Sequence, residues 1–256
     1  MGAESQVVRL IEGASDAPFL FVCEHASNHI PTEFEQLGIS DEVAVSHIAW
    51  DVGGDAITRQ LADTFNSPAV LSNISRLVYD CNRPPEAVDS MPEKSEIFTV
   101  PGNLGLSGDQ RAERVKKYYS PFKQQVADAL ASFDVEPVLV TIHTFTPVYK
   151  SKKRDVRLGI LHDDDTRFAD CMLNAAANQG VAGTQRNQPY GPADGVTHTL
   201  KVHGISNGLA NVMIEIRNDL TRTDEQCREQ AHMLESLLSA ALKEFRQEQL
   251  AEVGHP

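Results

Sequence analysis

The chain has 256 residues, 41% of them hydrophobic, with 23 basic and 36 acidic side chains for a formal charge of −13. That is enough apolar material for one sizeable core, read as a single domain over 1–256 with its core at about 15–247. The acidic balance disfavours nucleic acid as a partner but permits a small anionic ligand in a cleft with its own local field. No run approaches ~18 apolar residues, so no membrane span or membrane partner is expected.

The opening "MGAESQVVRLIEG" lacks a basic n-region followed by an apolar h-region, so it reads as no secretory signal. Gln6 stands where myristoylation of Gly2 would want Ser or Thr. Cys23, Cys81, Cys171 and Cys227 are widely spaced with no C-x-x-C pair, which fits a reducing cytoplasm rather than a zinc ribbon or a disulfide scaffold.

Candidate strands in chain order are "PFLFVC" (18–23), "AVLSN" (69–73), "PVLVTIH" (137–143), "VRLGIL" (156–161) and "ANVMIEIR" (210–217). Their near-continuous apolar character marks strands covered on both faces. A stripe of Val115, Tyr119, Phe122, Val126, Leu130 and Phe133 predicts a helix over 109–133, with Pro121 able to kink it. Residues 165–179 predict a second helix, opening at an Asp cap and stopping before Gly180. The last opens at "TDEQ", a capping box of Thr223 and Gln226, and runs to about Gln247. The tail "AEVGHP" is expected to fray. This alternation predicts an α/β fold with a mostly parallel sheet between helices. Residues 84–108 and 181–209 read as long irregular loops of functional interest.

Four blocks rich in reactive groups fall at strand ends: "CEHASN" (23–28), "SRLVYDCNRP" (75–84), "IHTFTP" (142–147) and "IEIRND" (214–219). Ligands of open α/β sheets bind beyond the carboxyl ends of the strands. His25 and His143, each one or two residues past an apolar run, are either two ligands of one catalytic metal or hydrogen-bonded structural histidines. Glu215 interrupts an apolar strand, where an unpartnered carboxylate is costly to bury. It is either ion-paired with Arg217, two residues on and on the same face, or a general base beside a metal. Arg76, Arg83 and Arg217 offer guanidinium forks for carboxylates, Arg83 being pinned by Pro84 and flanked by the Asn82 amide. Asp51 in "HIAWDVGG" faces the cleft or caps the following helix. His29, His47, His162, His198 and His203 are weaker candidates. Cys23 and His25 share a strand face, which permits a thiol nucleophile with an imidazole base. A strand-end Cys is more often a small buried hydrophobe.

In order, "CEHASNHIP", "HIAWDVG", "SRLVYDCNRP", "IHTFTPV", "NQPYGPADGVTHTL" and "EIRNDL" resemble blocks of the N-formylglutamate amidohydrolase (deformylase) family over roughly residues 15 to 222. A more distant similarity runs to zinc carboxypeptidases and aspartoacylases. The resemblance implies a three-layer α/β/α architecture of zinc-exopeptidase type with a mostly parallel, mixed sheet. It also implies a divalent metal, Zn2+ by analogy, held by His25, His143 and a carboxylate as third ligand. Those peptidases take a Glu three residues after the first His; Asn28 stands there in this chain, leaving Asp51 as first choice and Glu24 as second.

The further roles that the resemblance implies are Asn82 and Arg83 for the substrate carboxylate, Arg76 for the scissile carbonyl and Glu215 as general base. Arg217 is a possible aid in carboxylate binding, and Tyr190 belongs to a loop able to close over the ligand. The implied reaction is hydrolysis of a small N-acyl amino acid, most simply N-formyl-L-glutamate to formate and L-glutamate. A non-catalytic carboxylate-binding module on an inherited hydrolase fold is the competing reading. The oligomeric state is open, a homo-oligomer included.

Overall fold

A computed structural model describes residues 6–253 of the chain, with side chains through residue 251. Gly2 and the first residues of the supposed non-signal opening lie outside the described residues. All five predicted strands form, and two short ones join them. They are β1 (Val8–Ile11), β2 (Phe19–Cys23), β3 (Ala69–Ser72), β4 (Val138–Phe145), β5 (Leu158–Leu161), β6 (Thr184–Arg186) and β7 (Asn211–Arg217). The sheet order is β1-β3-β2-β4-β7-β5-β6. The central pairs β3/β2, β2/β4 and β4/β7 are parallel, as is the edge pair β5/β6. Only β1/β3 and β7/β5 run antiparallel.

Alternation along the central strands builds two cores. Phe19, Phe21 and Cys23 of β2, Val140 and Ile142 of β4, and Val212 and Ile214 of β7 face one layer. That layer is made by α1 (Gly54–Thr64), α3 (Arg167–Asn178) and α4 (Asp224–Val253). Leu20, Val22, Leu139 and Met213 face the other, packing with Tyr118, Tyr119, Phe122 and Val126. These four belong to a helix over 108–131, labelled α2, in which α-helical Gly108–Arg114 and Ser120–Ala131 flank a π-helical stretch, Val115–Tyr119. The π stretch ends two residues before Pro121, whose missing N–H and bulky ring do not suit the ordinary i→i−4 ladder. The expected kink is thus absorbed as a local widening.

The helix ends follow their predicted chemistry. Asp165 Oδ1 accepts from Arg167 N at 3.1 Å at the start of α3. At its end Gly180 takes φ 67°, and Val181 N bonds Ala176 O at 3.0 Å. Thr223 and Gln226 satisfy each other's backbone N–H at 3.2 and 3.1 Å ahead of α4. That helix continues past Gln247 through Val253, so the first three residues of the tail are helical rather than frayed. The rest of the tail lies outside the described residues.

The structure alters three other expectations. His143 lies within β4, not beyond its end, because the strand extends to Phe145. The stretch 84–108 contains a hairpin of Lys94–Ser95 with Phe98–Thr99, and 181–209 contains β6 and a π-helical turn, Leu200–Gly204. No helix among the described residues is long and apolar enough to cross a membrane.

Candidate active site

Three strands and a turn deliver the reactive groups to one place. β2 ends at Cys23, and the two residues that follow are Glu24 and His25. In the parallel ladder of β4 and β7, His143 stands directly opposite Glu215. Both share the sheet face of Leu139 and Met213, the face covered by α2. Asp51 comes from the turn before α1. Gly53 caps that helix at φ 86°, against Thr221, whose Cβ lies 2.6 Å from where a Gly53 Cβ would sit. Only glycine tolerates both the sign of φ and the close approach. The Asp51 side chain is therefore turned back into the sheet and does not cap α1, which removes the capping alternative. Its Oδ2 accepts from Thr144 N at 3.2 Å, and its own N–H donates to His25 O at 3.0 Å.

His25 Nδ1, His143 Nδ1 and Asp51 Oδ2 form a nearly equilateral triangle. The sides are 3.2 Å between the two nitrogens and 3.3 and 3.0 Å from each to the oxygen. All three residues are buried, and together they form a group able to hold a metal ion. For a zinc–ligand distance of about 2.0–2.1 Å, tetrahedral geometry puts neighbouring ligand atoms about 3.3–3.4 Å apart. The triangle thus has nearly the size of one face of such a tetrahedron.

The opposite edge of each imidazole meets a carboxylate. His25 Nε2 lies 2.7 Å from Asp80 Oδ1, and His143 Nε2 lies 3.1 Å from Glu24 Oε2. Carboxylates in this position fix the tautomer that leaves Nδ1 free to ligate. Glu24 is fully buried, and directly after an apolar strand it faces the distant His143 as a charge, since neither its oxygens nor His143 Nε2 find a hydrogen-bond partner among the described residues. Glu24, the second-choice ligand, therefore lies on the far side of the ring from the triangle. Asn28 turns away and donates to Ala44 O at 3.0 Å. Arg76 completes the cluster, reaching Asp80 Oδ2 at 2.8 Å and Asp51 Oδ1 at 3.4 Å.

Electrostatics sort these groups. Burial opposes ionisation of Asp51 and Asp80, but His25 and neighbouring cations hold both carboxyls well below the usual range. Burial likewise works against charge on His143 and His25. Glu24 and Asp51 nevertheless raise His143 strongly, and Asp80 and Asp51 raise His25. Glu24 is lowered, with His143 overcoming the effect of burial. When both imidazoles are neutral, as metal ligation requires, the carboxylates of Glu24, Asp51 and Asp80 against the single charge of Arg76 leave two negative charges. A divalent cation complements that balance. Glu215 differs in the direction of its shift: burial pushes it up to about 7, and its Oε2, like both oxygens of Glu24, has no hydrogen-bond partner among the described residues.

The cluster forms the floor of a cavity of about 490 Å³, which is also lined by Arg76, Asn82, Arg83, Tyr190 and Glu215. Asn82 turns its amide inward to the covering loop, donating to Val196 O at 2.5 Å and accepting from Thr199 N at 3.0 Å. Arg83 donates to Asp89 Oδ2 at 2.8 Å and to Gly195 O at 2.6 Å. Arg217 is not brought to the cavity. Its guanidinium pairs with Asp219 at 2.8 Å and donates to the Arg154 and Val156 carbonyls, so it is neither a cavity residue nor the partner of Glu215. Tyr190 enters from the loop after β6, with the Arg154 guanidinium 4.7 Å from its ring centroid.

Cys23 packs in the opposite core, near Gly54 of α1, and burial drives its thiol well above the normal range. A thiolate nucleophile at that position has no physical support. The residue missed in the sequence is Asp80, one position before Cys81 in a block noticed for Asn82 and Arg83. Its contact with His25 spans 55 residues, and no local periodicity announces it.

A family model described as N-formylglutamate amidohydrolase matches residues 17–222. The crystal structure of gene product Atu2144 from Agrobacterium tumefaciens is 45% identical, with a TM-score of 0.93, covering 96% of this chain and 98% of that one. N-formylglutamate amidohydrolase from Ralstonia eutropha JMP134 shares the fold at a TM-score of 0.62 and 14% identity, covering 95% and 98% respectively. No curated protein matches. With a match spanning most of the sequence, the ordered blocks have their explanation: the chain belongs to the N-formylglutamate amidohydrolase family, and it is a hydrolase of the linear amide C–N bond.

Proposed function

We propose that the protein is a metal-dependent amidohydrolase acting on a small anionic N-acyl amino acid, most simply N-formyl-L-glutamate. The observation that carries this reading is the His25–Asp51–His143 triangle, with Glu215 in the neighbouring strand. Its nitrogen and oxygen donors suit zinc. A bound divalent ion supplies Lewis acidity, which acidifies water and polarises the scissile carbonyl.

The protein groups then divide the work. Glu215, one strand spacing of about 4.8 Å from the His143 backbone, takes a proton from the attacking water as its oxygen bonds to the formyl carbon. The C–N bond breaks, and Glu215 returns the proton to the departing amine, releasing formate and the amino acid. Arg76, fixed by Asp80 and Asp51, presents a positive charge to the oxyanion that develops. Arg83 offers a substrate carboxylate the edge left over from Asp89 and Gly195. Asn82 acts indirectly, by holding the loop at Val196 and Thr199 against the site. All four cysteines are buried and unbridged, which supports a reducing cytoplasm as the place of action.

The test is metal analysis of the purified protein together with formate release from a panel of N-formyl amino acids. A stoichiometric divalent ion and chelator-sensitive formate release are expected. Full activity in metal-stripped protein would sink the metal-dependent mechanism.

A further inference from the structure

Two short hairpins stand at the mouth of the cavity. One pairs Lys94–Ser95 with Phe98–Thr99, the other Val148–Tyr149 with Lys152–Lys153. Their turns use a backbone region that L side chains rarely adopt: Glu96 has φ 53°, Lys150 φ 48° and Ser151 φ 64°. Glycine or asparagine takes such turns at lower cost. Turn formation alone therefore does not account for a glutamate and a lysine at these positions, and strain of this kind gathers at working sites.

The Glu96 side chain joins the two tips. Its Oε1 accepts from Lys150 N at 3.1 Å, and its Oε2 lies 3.1 Å from His47 Nε2. One carboxylate thus ties both hairpins and the His47 segment into a rim. Lys94 and Lys150 line the cavity from this rim. Among the described residues, the lysines in ion pairs are Lys117 and Lys201; Lys150 Nζ rests 5.2 Å from the Tyr149 ring centroid, so neither rim lysine is paired with a carboxylate. Deeper in the cavity the balance differs, because Arg83 serves Asp89 while Arg76 serves Asp80 and Asp51. A second anionic group on a ligand meets carboxylates at the floor and, at the rim, two ammonium groups beside a Glu96 carboxylate whose oxygens are already engaged by Lys150 N and His47.

We propose that Lys94 and Lys150 form a second anion subsite that selects N-acyl amino acids with an acidic side chain, leaving the α-carboxylate to Arg83. This rests on the hydrolytic reading above and adds to it the residues that set substrate class. Ammonium groups on flexible stems suit a carboxylate that moves between substrates of different length, such as aspartate and glutamate derivatives. Glu96 is the positioning residue of the subsite.

The test compares wild type with the Lys94→Met/Lys150→Met double variant, both metal-replete and checked for folding by circular dichroism. Formate release is measured on N-formyl-L-glutamate and on its neutral isostere N-formyl-L-glutamine, and both proteins are titrated calorimetrically with L-glutamate and L-glutamine. The wild type is expected to favour the acidic member of each pair by about tenfold or more, and the variant to lose that preference while handling the neutral member within about twofold of wild type. Absence of a wild-type preference, or its survival in the variant, overturns the subsite. If neither N-formyl compound is cleaved, the reaction proposed above falls and the titrations alone decide. A glutamate preference lost in the variant upholds the subsite, and no preference or no binding overturns it.

Discussion

Glu215 lies directly opposite His143 in the ladder between β7 and β4, and their surroundings set them to different tasks. His143 is held between Glu24 and Asp51 at 3.1 and 3.0 Å. Glu215 has an oxygen without a hydrogen-bond partner among the described residues, and its pKa is pushed up to about 7 by burial. A general base works best with a pKa near the operating pH. Neighbouring titratable groups whose environments separate them in this way mark an acid–base assignment. In the proposed mechanism one strand carries a metal ligand and the adjacent strand carries the general base.

Glu215→Gln keeps the size and burial of the side chain but removes its capacity to accept a proton. Formate release should fall by about 10²–10⁴-fold, the usual contribution of a positioned base. Metal content, read by atomic absorption, should stay at the wild-type level, because Glu215 is outside the triangle. Wild-type turnover would remove Glu215 from the mechanism. Loss of metal would move it into the ligand set.

The same substitution should stabilise the metal-free protein. A carboxyl whose folded pKa is raised binds more protons in the folded state than in the unfolded one between about pH 4.5 and 7. That contribution is complete below the unfolded value and is lost as pH rises through 7. Above it, the folded state carries a buried charge at a cost on the order of 3 kcal/mol. Metal-free Glu215→Gln should therefore melt roughly 6–10 °C above metal-free wild type at pH 8, with the gap closing toward pH 5. Equal melting temperatures at both pH values would show that Glu215 is not desolvated in this way.

The strands and helices were legible because each is either buried on both faces or striped with a helical period. The edges were not: β1 and β6 are only 4 and 3 residues long, and β6 reads "TQR", with no apolar signal at all. His25 and Glu215 stood out as polar groups against apolar runs. Asp80 and Glu24 gained their meaning from partners 55 and 119 residues away, a relationship that no window of sequence contains. Arg217 shows the limit of face arguments. It shares a strand face with Glu215, but a long side chain goes where its hydrogen bonds are, here to Asp219 and two carbonyls.

Glu24→Gln and Asp80→Asn should each weaken metal binding by about 10–100-fold, since each removes a carboxylate from the far side of a ligating imidazole. Competition against a chromogenic chelator gives the affinity directly. Asp80→Asn should also cost turnover at saturating metal, because it releases Arg76 as well as His25. Glu24→Gln acts on His143 alone and should recover most of its activity when metal is in excess. Unchanged affinity in both variants would deny the two carboxylates any orienting role.

Gly159→Ala tests how the loop carrying Tyr190 is seated. Gly159 is the β5 partner of Glu215, and an added Cβ would sit 2.1 Å from Gln188 O and 3.1 Å from Glu215 Cβ. The first contact is with backbone, so the segment before Tyr190 must move away from the sheet. The second presses on the base itself. Overpacking of this kind typically costs about 1–3 kcal/mol of stability, but the kinetic effect should be larger than a surface loop change would give. KM should rise as the loop lifts, and kcat should fall as Glu215 is displaced. A variant that lost stability while keeping both constants would show that the 187–190 segment can shift without disturbing the site.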